Sequence, residues 1–225
     1  MLCTYDDFIA KVNETGFLPF HGNFLGDFPS LQTLTLGTRW HTGEEETDPW
    51  KWKNRAANER KLAFGCLLGG QKGFIARWLY PFFISACRPA VSLEEQFEIG
   101  ERSHTEWRVF QLFENNPVLS TADIRKAMGV TKSAGASQVD GAMKRLQRDF
   151  ILTVCGSKRK VNREGFEYGW AANAYCPVET WAPAEWLSGV DEIDPGLARC
   201  KILDAASAMH PGTDRAALTK ILFNN

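Results

Sequence analysis

The sequence lacks most of the marks that would assign a chemistry at sight. None of its six cysteines (Cys3, Cys66, Cys87, Cys155, Cys176, Cys200) forms a Cys-x-x-Cys pair, and none lies near a histidine at zinc-ligand spacing. A structural metal is therefore not expected, and scattered thiols in a chain of 225 residues suit a reduced, cytoplasmic protein. No run approaches the roughly 18 apolar residues of a membrane span, so no membrane partner is expected. Asp6 and Asp7 stand where a secretory leader would need apolar residues. There is no internal repeat and no low-complexity stretch. The four histidines (His21, His41, His104, His210) are far apart, and no Ser/His/Asp order suggests a nucleophilic triad. Gly69-Gly70-Gln71-Lys72-Gly73 lacks the spacing of a nucleotide phosphate loop, so no cofactor is implied.

What is present is a well-supplied core, 44% hydrophobic and 12% aromatic, and an uneven charge distribution. The net charge is −1, which excludes polyanion binding by bulk composition. Between Ser120 and Gly165, however, ten basic residues (Arg125, Lys126, Lys132, Lys144, Arg145, Arg148, Lys158, Arg159, Lys160, Arg163) face four acids (Asp123, Asp140, Asp149, Glu164). Pro177 to Gly196 holds five acids and no lysine or arginine. Such a cluster gains meaning only where a local fold aims it at a partner.

Three parts are expected: an aromatic-rich region over 1–90, a helix–helix–helix–hairpin unit over 91–182, and a helical tail over 183–225 packed on the rest. In the middle part, Trp107, Phe110 and Phe113 share a face of a helix predicted from Ser103 to Asn116, which Pro117 ends. Ser120 and Asp123 form a capping box for a short helix that stops at Gly129. After small polar residues from Thr131 to Ser137, Val139, Ala142, Met143 and Leu146 give the i, i+3, i+4, i+7 stripe of a third helix. Its other face holds Gly141, Lys144, Arg145 and Arg148, with Gln138 near its start. A β-rich run over Phe150–Cys155, a basic loop over Gly156–Gly165 and an aromatic strand over Phe166–Tyr175 complete a winged helix-turn-helix. The fold class is thus α+β, mostly helical, with a winged helix-turn-helix and small β-hairpins. A second short hairpin is expected at Phe64–Leu68 and Gly73–Ile75, after a helix opened by Asp48-Pro49 and running to about Ala63.

An α-helix about 10–12 Å across fits a major groove about 12 Å wide. Gln138, Lys144, Arg145 and Arg148 on the third helix, with Lys158, Arg159, Lys160 and Arg163 on the wing, are the candidate contacts to double-stranded DNA, mainly to its phosphates. Arg39, Trp40, His41, Trp50 and Trp52 are the candidate pocket for a planar group such as a base; the alternative is that they are core and hinge residues. Cys155 is expected to be a buried thiol, and Glu94, Glu95, Glu98 and Glu101 a solvated helix face.

Several strings together resemble a known group. Trp40-His41-Thr42-Gly43, Asp48-Pro49-Trp50-x-Trp52-Lys53, the run Tyr175…Trp181-Ala182-Pro183 and the tail Leu197-x-x-Cys200-Lys201-Ile202-Leu203-x-x-Ala206…Pro211 are similar to those of bacterial proteins related to AlkZ-type DNA glycosylases. The likeness to that related group covers most of the chain. The resemblance implies a DNA-binding scaffold connected with DNA repair, since AlkZ-type glycosylases use tandem winged helices to remove alkylated or crosslinked bases. Their catalytic signature is Gln-Φ-Gln or Gln-Φ-Asp, with Φ apolar. Gln147-Arg148-Asp149 is the similar string here. Its middle residue departs from the pattern, so Gln147 and Asp149 are weak catalytic candidates, and Asp149 reads more simply as half of a surface charge pair with Arg148 or Lys144. Three functions stay open: a winged-helix protein on duplex DNA, an AlkZ-like glycosylase, and a winged-helix protein-interaction module.

Overall fold

The computed structural model describes residues 1–131 and 133–223. Lys132, one of the ten clustered cations, lies outside the described residues. The chain opens with α1 (Tyr5–Thr15) and β1 (Phe17–Pro19), then α2 (Pro49–Asn58), β2 (Leu62–Leu68), β3 (Gln71–Ala76) and α3 (Tyr80–Cys87). The middle part runs α4 (Leu93–Glu98), α5 (His104–Gln111), β4 (Leu119–Ser120), α6 (Thr121–Ala127), α7 (Ala136–Arg148), β5 (Leu152–Val161) and β6 (Glu167–Pro177). Two single turns, α8 (Val178–Trp181) and α9 (Ala184–Leu187), lead into α10 (Pro195–Met209) and α11 (Arg215–Phe223). The class is α+β, as the periodicities imply.

All six strands join one antiparallel sheet in the order β1-β3-β2-β5-β6-β4. Because side chains alternate across a strand, β2 sends Ala63 and Leu67 into one core and Leu62 and Phe64 into another. The first core is closed by α3, α10 and α11 through Phe83, Ile84, Ile202, Ala206 and Leu222. The second is closed by α1 and α2 through Phe8, Val12, Trp52 and Ala56. A third core lies under α5, α6 and α7, built from Val109, Ile124, Val139, Ala142 and Leu146. The sheet thus joins strands from the first ninety residues to the hairpin of the middle part through a single pairing, Phe64 with Val154.

Several boundaries differ from those expected. α5 ends at Gln111, with turns over the next residues. α2 stops at Asn58 because Arg60 turns left-handed (φ 55°) and β2 begins at Leu62. Most consequentially, the basic stretch 156–165 is not a loop: β5 continues to Val161, β6 starts at Glu167, and only the turn around Asn162–Phe166 remains. Asn162 closes that turn by accepting from the backbone N–H groups of Glu164 and Phe166 at 3.0 and 2.8 Å.

The tail docks where one glycine permits it. Gly69, in the β2–β3 turn at φ +59°, lies so close to α11 that a Cβ there would fall 1.8 Å from the Ile221 carbonyl oxygen. Gly26, also left-handed (φ +51°), has open space around it. Gly69→Ala is expected to destabilise the fold by about 2–5 kcal/mol, combining backbone strain with overpacking, while Gly26→Ala costs only the strain, about 1–2 kcal/mol. Denaturant unfolding of the two variants checks this; equal losses would mean that α11 is not held against the turn.

Candidate nucleic-acid interface

The helices of the middle part form as their caps dictate. Ser120 accepts from the Asp123 N–H while Asp123 accepts from Ser120, the reciprocal box read from the sequence. Gly129 takes φ +68° just past the helix end. On α7, Val139, Ala142, Met143 and Leu146 are buried, and Gln138 and Lys144 are exposed.

Arg145 and Arg148 have a different environment. Arg102 is buried and reaches Glu106 at 3.2 Å, Asp149 at 2.6 Å and the Gln96 side-chain oxygen at 2.9 Å. Arg145 adds a 3.0 Å pair to Glu106, and Arg148 a 2.8 Å pair to Asp149. Asp149 is 4% exposed, which corrects the expected surface charge pair: it is a buried carboxylate gripped by two arginines. Burial pushes the Glu106 carboxyl upward, but hydrogen bonds from Ser103 and Arg145 outweigh it and hold the group below its usual range. Gln147 is equally committed, accepting from the Cys66 N–H at 3.1 Å and donating to the Met143 carbonyl at 2.8 Å. The structure therefore brings neither weak catalytic candidate to a free position from which it could activate water.

The β5–β6 hairpin carries the free cations. Lys158 pairs with Asp123 at 3.3 Å, whereas Arg159, Lys160 and Arg163 have no ion-pair partner among the described residues. The same hairpin exposes Val161, Phe166, Tyr168 and Trp170, the last at 78%. Sequence reasoning does not single out these aromatics as candidate functional residues. The signal that could have found them is Phe166-x-Tyr168-x-Trp170, at the spacing of one strand face beside the basic run.

Between this hairpin and α2 lies a cleft of about 670 Å³, within the range of small-molecule sites. Its α2 wall is fixed by Asp48, a buried N-cap whose carboxylate accepts from Trp50 N–H at 2.9 Å, His41 N–H at 3.0 Å and Gly43 N–H at 2.9 Å. These bonds hold His41 at a left-handed φ of 64°, unusual for a side chain larger than glycine. Its ring lies 4.8 Å from that of Trp50 and 6.1 Å, edge-on, from that of Trp170. Arg159 and Asn54 also line the cleft, and the Asn54 Oδ1 is buried without a hydrogen-bond partner.

Of the five proposed pocket residues, His41 and Trp50 line this cleft. Arg39 sits exposed in a short 3₁₀ turn. Trp40 packs edge-on to Phe20 and donates to the Thr35 hydroxyl at 3.0 Å. Trp52 is fully buried, stacked on Phe8, with its indole N–H donated to the Glu46 carbonyl at 3.2 Å. Trp52 is core, because its helix position faces the sheet and Trp50, two residues earlier, faces the cleft.

Lys53, beside Trp50, is 6% exposed and has no carboxylate partner among the described residues. Its Nζ lies 4.5 Å from the Trp50 ring centre and 5.9 Å from that of Phe64. Burial, with the charge of Lys72 second, lowers its pKa to about 8. Among the described residues no group of three or more His, Cys, Asp or Glu side chains could hold a metal ion, and no helix is long and apolar enough to cross a membrane.

A family model described as "AlkZ related" matches residues 2–223. Among solved structures, the chain is similar to Streptomyces sahachiroi DNA glycosylase AlkZ, with 12% sequence identity and a TM-score of 0.47 over 93% of this chain and 57% of that one. The chain thus spans a little over half the length of that glycosylase. No curated protein matches it.

Two stability outcomes follow from these environments. Arg102→Ala strands Glu106 and Asp149 without their central cation and should cost about 3–5 kcal/mol in denaturant unfolding; a loss below about 1 kcal/mol would show the network to be dispensable. Because Lys53 is held below its ordinary pKa of 10.5, its charged form weakens the fold below pH 8, and that penalty fades as pH rises from 8 towards 10.5. Lys53→Met should therefore gain up to about 3 kcal/mol relative to the parent at neutral pH, with the gain shrinking across that window. A difference independent of pH would refute the buried charge.

Proposed function

The chain belongs to the AlkZ-related family, and from that premise we propose that it binds double-stranded DNA in DNA repair. The α5–α6–α7 helices and the β5–β6 hairpin act as a winged helix, with Gln138 and Lys144 at the duplex and Arg159, Lys160 and Arg163 on phosphates. The observation that carries this reading is the hairpin itself. Among the described residues it holds three cations without an ion pair and, on the same projecting element, the exposed Trp170. Cations without carboxylate partners are available for counterion release, and exposed aromatics beside them suit stacking on bases or wedging between them. A DNA partner and six free thiols fit a reducing, cytoplasmic compartment.

Arg145 and Arg148 have a smaller part in this reading than their positions on α7 suggested. Their charge is largely spent on Glu106 and Asp149. One specific feature favours the glycosylase reading: the cleft offers the rings of His41, Trp50 and Trp170 as walls, a fitting receptacle for a base turned out of the duplex. Base excision would have to use groups in that cleft, since Gln147 and Asp149 are bound elsewhere.

Salt-titrated binding to intact duplex, alkylated duplex and single strands tests these readings together. Lys144→Ala, Arg159→Ala and Lys160→Ala should each weaken duplex binding and reduce the slope of log affinity against log salt by about 1 for every phosphate that is no longer neutralised. Trp170→Ala should leave that slope alone and cost about 1–3 kcal/mol on DNA offering an unpaired base. Release of a base from alkylated duplex would establish the enzyme. Unchanged affinity in all three cation variants would remove the hairpin and α7 as the DNA surface, and no binding at low salt would favour the protein-interaction module.

A further inference from the structure

Two rings meet across the cleft between α2 and the β5–β6 hairpin, and a separate backbone device positions each of them. On the hairpin, Lys158 pairs with Ala172 and Lys160 with Tyr168, so Gly169, Trp170 and Ala171 of β6 oppose Arg159 alone on β5. This is a β-bulge, which re-aims a side chain out of the ordinary alternation of a strand. Gly169 turns left-handed (φ +73°), and a Cβ there would meet nothing within 4 Å. The glycine is needed for its conformation and not for space. Trp170 follows it, 78% exposed, with its ring 6.1 Å from that of His41.

On the opposite wall, His41 holds its left-handed φ of 64° through the bond from its N–H to Asp48. Core packing does not repay that strain, because His41 is exposed and its ring nitrogens make no hydrogen bond among the described residues. Trp50 backs the His41 ring at 4.8 Å and is itself engaged by the Lys53 ammonium at 4.5 Å. Trp50 is therefore the prop, and Trp170 is the indole left for stacking.

The walls of this cleft carry both signs of charge: Arg159 shares them with Glu167 and with Glu45, which Lys51 holds at 3.1 Å. A small ion of either sign would meet a like charge there, whereas a neutral ring with a polar edge would not. A nucleobase has that character. Its π-face suits an indole, and its edge of donors and acceptors suits an imidazole, which in its neutral form offers one of each.

We infer that His41 and Trp170 form a clamp for one unpaired base of a nucleic-acid strand. Trp170 stacks on the ring, and the His41 imidazole hydrogen-bonds to its polar edge and so sets which ring is held. His41 is thus a specificity-determining residue and Asp48 its positioning residue. The clamp rests on the DNA-binding reading above and gives the cleft its ligand class, an unpaired nucleobase, with or without a lesion and with or without excision.

The test uses the full chain and three duplexes at low salt: one fully paired, one with a single bulged thymine, and one with the apolar isostere 2,4-difluorotoluene at the bulged position. Fluorescence anisotropy should show the parent holding the thymine duplex about 2–10-fold more tightly than the isostere duplex, the worth of one hydrogen bond. His41→Phe, which keeps a ring and removes its nitrogens, should make the two equal. His41→Asn, which tolerates the left-handed backbone and restores a polar edge, should keep part of the difference. Trp170→Ala should lose the preference for either bulged duplex over the paired one, and Trp170→Phe should recover part of it. Equal affinity of the parent for thymine and isostere, or a thymine preference undiminished in His41→Phe, overturns the reading of the base edge. A preference for bulged duplexes that survives Trp170→Ala overturns the clamp. Equal binding of all three duplexes by the parent overturns the clamp and leaves the DNA-binding reading standing, while binding of none overturns both.

Discussion

The pairing of β2 with β5 is the constraint on which the rest of the molecule depends. At Phe64 and Val154 it joins the N-terminal hairpin to the long β5–β6 hairpin, and both residues are buried in the core that α2 covers. Two further contacts fix the junction. The Gln147 side chain at the end of α7 accepts from the Cys66 N–H, and Asn58 at the end of α2 packs against Gly156, where a Cβ would sit 3.3 Å from its amide oxygen. With its root held from both sides, the hairpin projects beyond the core. The aromatic cleft is the space between that projection and α2.

Two groups of charges in the middle part differ in their energetics. Arg102, Glu106 and Asp149 are sealed, and Arg145 and Arg148 complete their pairs from the edge. Removing such groups from water is expensive, and mutual pairing mainly offsets that cost. Their role is to fix α5 against the end of α7. The second class is Lys144 and the hairpin cations Arg159, Lys160 and Arg163, which stand in water without carboxylates among the described residues. Solvated cations cost little to display and release counterions on meeting a polyanion, so the proposed contribution to DNA binding falls to them.

The sequence reveals the local chemistry well. The Ser120–Asp123 box, the Asp48-Pro49 helix start, the Gly129 stop and the α7 stripe depend on residues within one or two turns, and each is found where the sequence places it. The misread features depend on distant partners. Asp149 resembles a surface charge because nothing nearby in the chain indicates that Arg102 closes over it. The stretch 156–161 resembles a loop because its side chains are all polar or glycine up to Val161, yet pairing with Ala172, Asn173 and Tyr168 makes it a strand. Trp50 and Trp52 share composition and differ only in which side of α2 they occupy. Trp170 is visible as one of three aromatics at strand spacing, but its exposure depends on the hairpin outreaching the core.

Hydrogen exchange of the full chain, with and without duplex DNA at low salt, tests the proposed DNA contact of the hairpin and cleft most directly. Slowed exchange concentrated in residues 41–58 and 157–171 and along α7, with α10 and α11 unchanged, is the expected result. Protection centred on α10 and α11 with none in the hairpin, or no change anywhere, would contradict it.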